Sequence, residues 1–534
     1  MTKLTLRASL LASAALLLTG PTLAASDDEI IVGLSSEVTS MDPHFHNLTP
    51  NNQIAAHIFD GLINQDENQG LIPGLATEWG PTDDPKIWEF KLREGVTFHD
   101  GSPFTADDVV CTFERAPDVP NSPSSFGTYI KGKTVEKVDD FTVRIKTAAP
   151  YPLMANDIST VNIISDEKGC DATTEEFNSG AAAYGTGPWK FVSYTPGEAI
   201  VMARAENYWG DDKAPFAKLT FKPIKSDPAR VAALLAGDVD MINNVPTTDL
   251  ATIRANEDLT VFEGVSNRVI YLHMDQFRED SPHITAKDGS PIKNPLLDVR
   301  VRKAISHAIS RELIKDRVME GQSIVAGQLL PEGFFGVSKN LEPDAYDTDL
   351  ATSLLAEAGY EDGFKITIHG PNDRYVNDAK IVEAIAQMLT RVGIEASVET
   401  MPRSVYFKRA SAGGDGGLPE FSLILVGWGA GSGEASSPLR SLIATHDKDK
   451  GMGASNRGRH SDPEVDKLID QALQTVDNAE REALLAEATE KAIGEYYAII
   501  PIHYQVNAWA ARKGIEYTPR TDEYTLMQGA RATN

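Results

Sequence analysis

The stretch that most narrows what this chain can fold into is the apolar run Phe421, Leu423, Ile424, Leu425 and Val426. It is partly β-branched and has the length of a strand buried on both faces. It stops abruptly at Gly427-Trp428-Gly429-Ala430-Gly431-Ser432-Gly433, where four glycines leave backbone amides and carbonyls open to close approach around one large aromatic ring. A strand end of this kind suits a bound ligand. The plainer alternative is a tight turn with a half-buried Trp.

The start of the chain supplies an address. Lys3 and Arg7, the apolar run Leu10 to Leu18 and the small-residue site Thr22-Leu23-Ala24 form the pattern of a secretory signal peptide, residues 1–24. The apolar run is too short to span a bilayer, and no Cys stands at the cleavage point to take a lipid, so the expectation is an exported, unanchored protein that is not membrane-embedded. The formal charge of −27 over 534 residues disfavours nucleic acid and anionic membrane surfaces. There are two cysteines, Cys111 and Cys170. An oxidising compartment permits a bridge, worth about 4 kcal/mol on the chain-entropy account, and two buried thiols are the alternative.

Along the chain, Glu29 to Val38 and Trp88 to Leu92 read as strands, and Ile54 to Leu62 as a helix. Thr105 caps a helix to Glu114 with Asp107 and Asp108 in its first turn. Val135 to Lys146 alternates like a hairpin turning at Asp139-Asp140, and Lys190 to Met202 reads as two strands around Pro196-Gly197. Helices are expected over Ala229–Ala236, Arg302–Ile309, Leu350–Ala358 and Ala379–Val392, several ending at a glycine, with further starts at Asp462-Pro463 and at Asp477-Asn478-Ala479-Glu480. Ala498 to Trp509 returns to strand, and the tail to Asn534 looks irregular. The mixture reads as α/β and α+β lobes.

Some patterns mislead. Gly127 to Thr134 matches a P-loop residue for residue, but a Pro- and Ser-rich loop precedes it and a hairpin follows, so no buried strand and helix N-terminus frame a phosphate cradle. His44 and His46 lack a nearby third metal ligand. No Gly-x-Ser-x-Gly elbow, His-Glu-x-x-His or paired-Cys site occurs, although a scattered catalytic triad would escape such a search. No cofactor, metal or catalysis is expected.

Taken together, Met41-Asp42-Pro43, Phe59-Asp60-Gly61-Leu62, Phe98-His99-Asp100-Gly101, Gly185-Thr186-Gly187-Pro188-Trp189, Tyr208-Trp209, Asp298 to Arg302 and Leu354 to Tyr360 resemble one family over nearly the whole chain. It is the periplasmic solute-binding proteins of the oligopeptide, dipeptide and nickel type, family 5, which serve ABC importers. The resemblance implies a two-lobed periplasmic-binding-protein fold with an extra inserted domain. The first lobe would be 26–65, 184–263 and 498–534, the insert 66–183, and the second lobe 264–497. It also implies a monomer that closes on a small polar or peptide ligand and hands it to membrane permease subunits. Carried over by alignment, Asn47, Thr49, Phe126, Gly427, Trp428 and Gly429 would contact the ligand.

One departure matters. Where oligopeptide binders of this family carry an Asp that pairs with the peptide amino terminus, this chain has Gly431. Arg403 falls near a pocket-flanking Trp of the family. Together the two changes turn the expected cleft toward anions, unless Glu434 restores the acid. A carboxylate-bearing sugar acid or opine-type solute therefore stands beside peptides as the expected ligand. A periplasmic hydrolase or a peptide-holding chaperone is the alternative of another class.

Overall fold

The computed structural model describes residues 28–211 and 214–533. The expected signal peptide lies outside the described residues. Among these, twelve strands join in one sheet, and a separate four-stranded antiparallel sheet, Ala76–Pro81, Ile87–Leu92, Thr142–Lys146 and Thr134–Asp139, lies in the expected insert.

The strand formed by the apolar run from Leu423 lies well inside the large sheet. Leu423–Gly429 pairs antiparallel with the long strand Leu259–Met274 and parallel with Lys365–Pro371. Both of its faces are covered. Leu423 and Leu425 pack with Ile381, Ile385 and Leu389 of the helix Asp378–Arg391, while Ile424 and Val426 pack with Tyr406, Leu439 and Leu442. Each such side chain, fully buried, stabilises by roughly 1.5–3 kcal/mol. The strand runs three residues beyond its expected end at Val426, because Gly427 and Gly429 keep pairing with Ile270 and Arg268.

Two long strands, Leu259–Met274 and Ile499–Arg512, pair along almost their whole length and run through both halves of the sheet. The register slips between Val265 and Val269, which leaves Ser266, Asn267 and Arg268 in a bulge. The core changes across the same level. Ile499, Ile502 and Tyr504 pack with the clusters around Leu425 and Ile424, whereas Ala508, Trp509 and Ala510 pack with those around Val32, Leu234 and Ile242. The C-terminal strand thus passes from one group of core residues to the other near 505–507.

Most expected helices form with their expected caps. Thr105 and Asp108 make a reciprocal capping box for Ala106–Arg115, Asp477 caps Asn478–Thr489, and Gly237 ends Asp227–Ala236 in a left-handed conformation. The helix expected over Ile54–Leu62 begins earlier. It spans Thr49–Ile58 with Pro50 in its first turn, and Phe59 is already extended. Cys111 and Cys170 are joined by a disulfide with Cα atoms 5.6 Å apart. The P-loop look-alike ends in an ion pair: Lys133 Nζ lies 2.9 Å from Asp157 Oδ2 and 4.2 Å over the Tyr151 ring, and the strand Thr134–Asp139 follows it. The tail corrects the expectation of irregularity, since Ile515–Tyr517 and Ala530–Ala532 pair antiparallel.

Candidate functional site

A polar cavity of about 640 Å³ opens where the insert, the bulge of the long strand, the glycine-rich loop and the tail meet. Each wall has a local cause. At the N-terminal wall, Asp42 is buried and held by both terminal nitrogens of Arg115, at 3.0 and 2.7 Å. Burial alone would raise the Asp42 carboxyl, but the Arg115 hydrogen bonds and charge hold it below its ordinary value. That anchor fixes the loop that carries Asn47 and Thr49 to the cavity. Asn47 N–H donates to the Ser124 carbonyl at 2.9 Å, and its side chain accepts from Asn52 at 2.9 Å. His44 is no metal ligand in this arrangement. Burial and the adjacent Arg115 push it down to about 4, and its Nε2 donates to the Asn162 carbonyl at 2.8 Å.

The glycine-rich loop forms the opposite wall. A Cβ on Gly427 would stand 2.7 Å from Ile270 and 2.9 Å from the Tyr375 ring, so close packing demands glycine there. The Tyr375 hydroxyl donates to the Gly427 carbonyl at 3.1 Å. A Cβ on Gly429 would press on Asn267 and Arg268 at 3.0 and 3.1 Å. Gly429 and Gly431 line the cavity; Trp428 is half-buried, packs beside the Ile424 cluster and donates from Nε1 to Ser437 Oγ at 3.4 Å.

The third wall comes from the tail. Arg520, Asp522 and Tyr524 line the cavity, and Glu523 binds Arg268 through two bonds of 2.9 and 2.7 Å. Burial would raise the Glu523 carboxyl, but Arg268, Ser266 and the charge of Arg374 bring it down to about 2. Glu523 has φ 68°, a left-handed conformation uncommon outside glycine, which this set of bonds holds in place.

A cleft of polar side chains and open backbone between two cores, crossed by two continuous strands, has the character of a small-molecule site. The family model described as "Bacterial extracellular solute-binding proteins, family 5 Middle" matches residues 70–450. The chain belongs to this family. Among its relatives, the glutathione-binding protein GsiB of Pectobacterium atrosepticum is 28% identical over 479 residues, covering 89% of this chain and 88% of GsiB. GsiB of Escherichia coli K12 is 26% identical over 468 residues, covering 86% of each. The periplasmic binding protein DppA of Helicobacter pylori, in complex with the peptide STSA, shares the fold with a TM-score of 0.76 and 22% identity, over 95% of this chain and 98% of DppA. AgaA from A. tumefaciens R10, in complex with agropinic acid, shares it with a TM-score of 0.73 and 23% identity, over 95% and 99%. The two-lobed fold of family 5 is therefore this chain's fold.

Within that fold the expected site residues divide. Asn47, Thr49, Gly429 and Gly431 converge on the cavity, with Gly427 and Trp428 directly behind its wall. Phe126 does not reach it. It is 1% exposed, packed in the insert's core against Tyr129, which lines the cavity in its place. Glu434 is buried away from the cavity: Oε2 accepts from Arg481 at 2.7 Å and Oε1 from Ser436, so it restores no acid to the cleft. Arg403 is exposed at the start of the helix Arg403–Ala412, away from the cavity lining, with its backbone N–H donating to Asp373 at 2.6 Å.

The sequence reading missed Arg374, Glu523 and Gln69. Arg374 stacks over the Tyr375 ring at 5.0 Å and, among the described residues, has no carboxylate at ion-pair distance. Burial and the neighbouring Arg268 depress its pKa below the ordinary value, against the opposing charge of Glu523. Among the described residues no group of three or more His, Cys, Asp or Glu side chains gathers as a metal site, and no helix is long and apolar enough to cross a membrane.

Proposed function

We propose that this chain is a periplasmic receptor that closes on a small, carboxylate-bearing, peptide-like solute and delivers it to the permease of an ABC importer without chemical change. One observation carries the ligand class: Arg374, which lies outside the cavity lining but close to the lining residue Arg268, makes no ion pair among the described residues, and the nearby Glu523 is already held by Arg268. A ligand carboxylate would supply the missing charge through a charge-assisted, bidentate hydrogen bond. The relatives and neighbours support the class, since their names and titles mention glutathione, the peptide STSA and agropinic acid. An opine-type acid is the second reading, and it rests on the same guanidinium.

In this account the first lobe comprises the segments to 65, 184–265 and the chain beyond about 506. The insert spans 66–183, and the second lobe lies between, with hinges at the Ser266–Arg268 bulge and at 505–507. Export through residues 1–24 completes the proposal. Native mass spectrometry of the purified protein with glutathione, Met-Leu and agropinic acid tests it. The expected result is stoichiometric binding of at least one compound, released unchanged. Consumption of excess compound would replace the receptor with an enzyme.

A further inference from the structure

Gln69 sits at the tip of the hairpin formed by Ile63–Gln65 and Leu71–Pro73 with φ 64°, a left-handed conformation that a non-glycine residue adopts only when its surroundings hold it. The turn is held by Asp66, whose Oδ1 accepts from the N–H groups of Asn68 and Gly70 at 2.9 and 2.7 Å. The side chain, 5% exposed, reaches across to the glycine-rich loop. Its Nε2 donates to the Ala430 carbonyl at 3.2 Å and the Gly431 carbonyl at 3.3 Å, while Asn267 donates to its Oε1 at 2.6 Å and to Ala430 O at 2.9 Å. One carboxamide thus ties together three segments from the insert, the strand bulge and the second lobe.

The same atoms decide what can dock beside them. Ala430 O and Gly431 O are acceptors at the edge of the cavity that Gly431 and Gln69 both line, and a neutral amide of the protein already holds them. The space over Gly431 is open, since an added Cβ there would meet only the Tyr129 hydroxyl at 3.6 Å. A cationic nitrogen entering this corner finds Ala430 O already accepting from Gln69, Asn267 and Gly433 and no carboxylate on the loop itself, so the loop offers it no counter-charge, and the nearest lining acids, Asp66 and Glu67, stand on the facing hairpin. An acylated nitrogen carries no charge to desolvate.

We infer that Gln69 is a specificity-determining residue. Its carboxamide fills the donor position at the loop's carbonyls, so the corner at Gly431 takes the uncharged end of a solute in preference to a free ammonium. The inference rests on the reading of the cleft as the solute site. Gln69→Glu reverses the logic without changing shape. A carboxylate set against two carbonyls needs a positive donor between them, which a ligand ammonium supplies. Gln69→Gly removes the side chain and suits the left-handed backbone, so it keeps the fold.

Calorimetric titration of Met-Leu and N-acetyl-Met-Leu into wild type, Gln69→Gly and Gln69→Glu tests the assignment. The expected result is about tenfold preference of wild type for the acetylated dipeptide, a smaller ratio in Gln69→Gly, and free Met-Leu preferred by Gln69→Glu. If wild type binds the probes but prefers free Met-Leu, or if the ratio in Gln69→Glu stays within about twofold of wild type, the role of Gln69 is overturned while the solute cleft stands. Failure of both probes to bind any of the three proteins overturns the peptide-like cleft, and the inference with it.

Discussion

Two buried carboxylate–guanidinium pairs of almost the same geometry do different work in this molecule. Glu434–Arg481 and Glu523–Arg268 each close to 2.7 Å with side chains almost out of solvent. Yet burial pushes the Glu434 carboxyl up against the pull of Arg481, whereas Glu523 is brought down to about 2. The difference lies in the count of donors. Glu434 has one guanidinium bond and one hydroxyl inside a single core, while Glu523 has two bonds from Arg268, further donors in Ser266 and Gln505, and Arg374 nearby. The first pair fastens the end of the glycine-rich loop to the helix Asn478–Thr489. The second spans the strand bulge and the tail at the cleft.

The sharpest way to break this contrast is Arg481→Ala. It strands Glu434 in a dry core, and the expected loss of stability is about 3–5 kcal/mol in denaturant unfolding. The fraction that remains folded should keep its ligand selectivity. A loss of affinity for acids clearly greater than that for neutral analogues would mean that this pair, too, acts on the ligand.

Glu523→Gln should cost about 3 kcal/mol at neutral pH, the equivalent of holding a carboxyl near 2 rather than its ordinary 4.5. The sign follows from that depression: the contribution is fully present above about 4.5 and is lost as pH falls through about 2. Wild type should therefore lose stability across that window more steeply than Glu523→Gln. Parallel acid-unfolding curves for the two proteins would remove the tail pair from the account.

The smallest effect is expected from Arg403→Ala. This exposed side chain should change folding by no more than about 0.5 kcal/mol and should change acid binding little. A loss of acid affinity approaching that of Arg374→Ala would restore the cleft role first expected of Arg403.

What was legible in the sequence was local. Thr105, Asp477 and Gly237 announce helix ends because caps act within a turn or two, and Gly427 to Gly433 announces a close approach of backbone because only glycine leaves that room. The sixteen-residue strand Leu259–Met274 was not legible, since its bulge at Ser266–Arg268 breaks the alternation that marks a strand. Pairings over long sequence separations, such as Arg268 with Glu523 or Gln69 with Ala430, leave no periodic trace. Arg403 drew attention because it aligns near a pocket position, but its side chain stands in solvent. Arg374, a cation without an ion pair among the described residues, sits in a loop whose sequence carries no motif.

The most direct test of the account is calorimetric titration of Met-Leu and its C-terminal amide into wild type and Arg374→Ala. The account predicts that Arg374→Ala weakens the carboxylate form by about 2–5 kcal/mol and the amide far less. Equal losses for acid and amide, or none for either, would contradict a cleft whose charge is completed by the ligand's carboxylate.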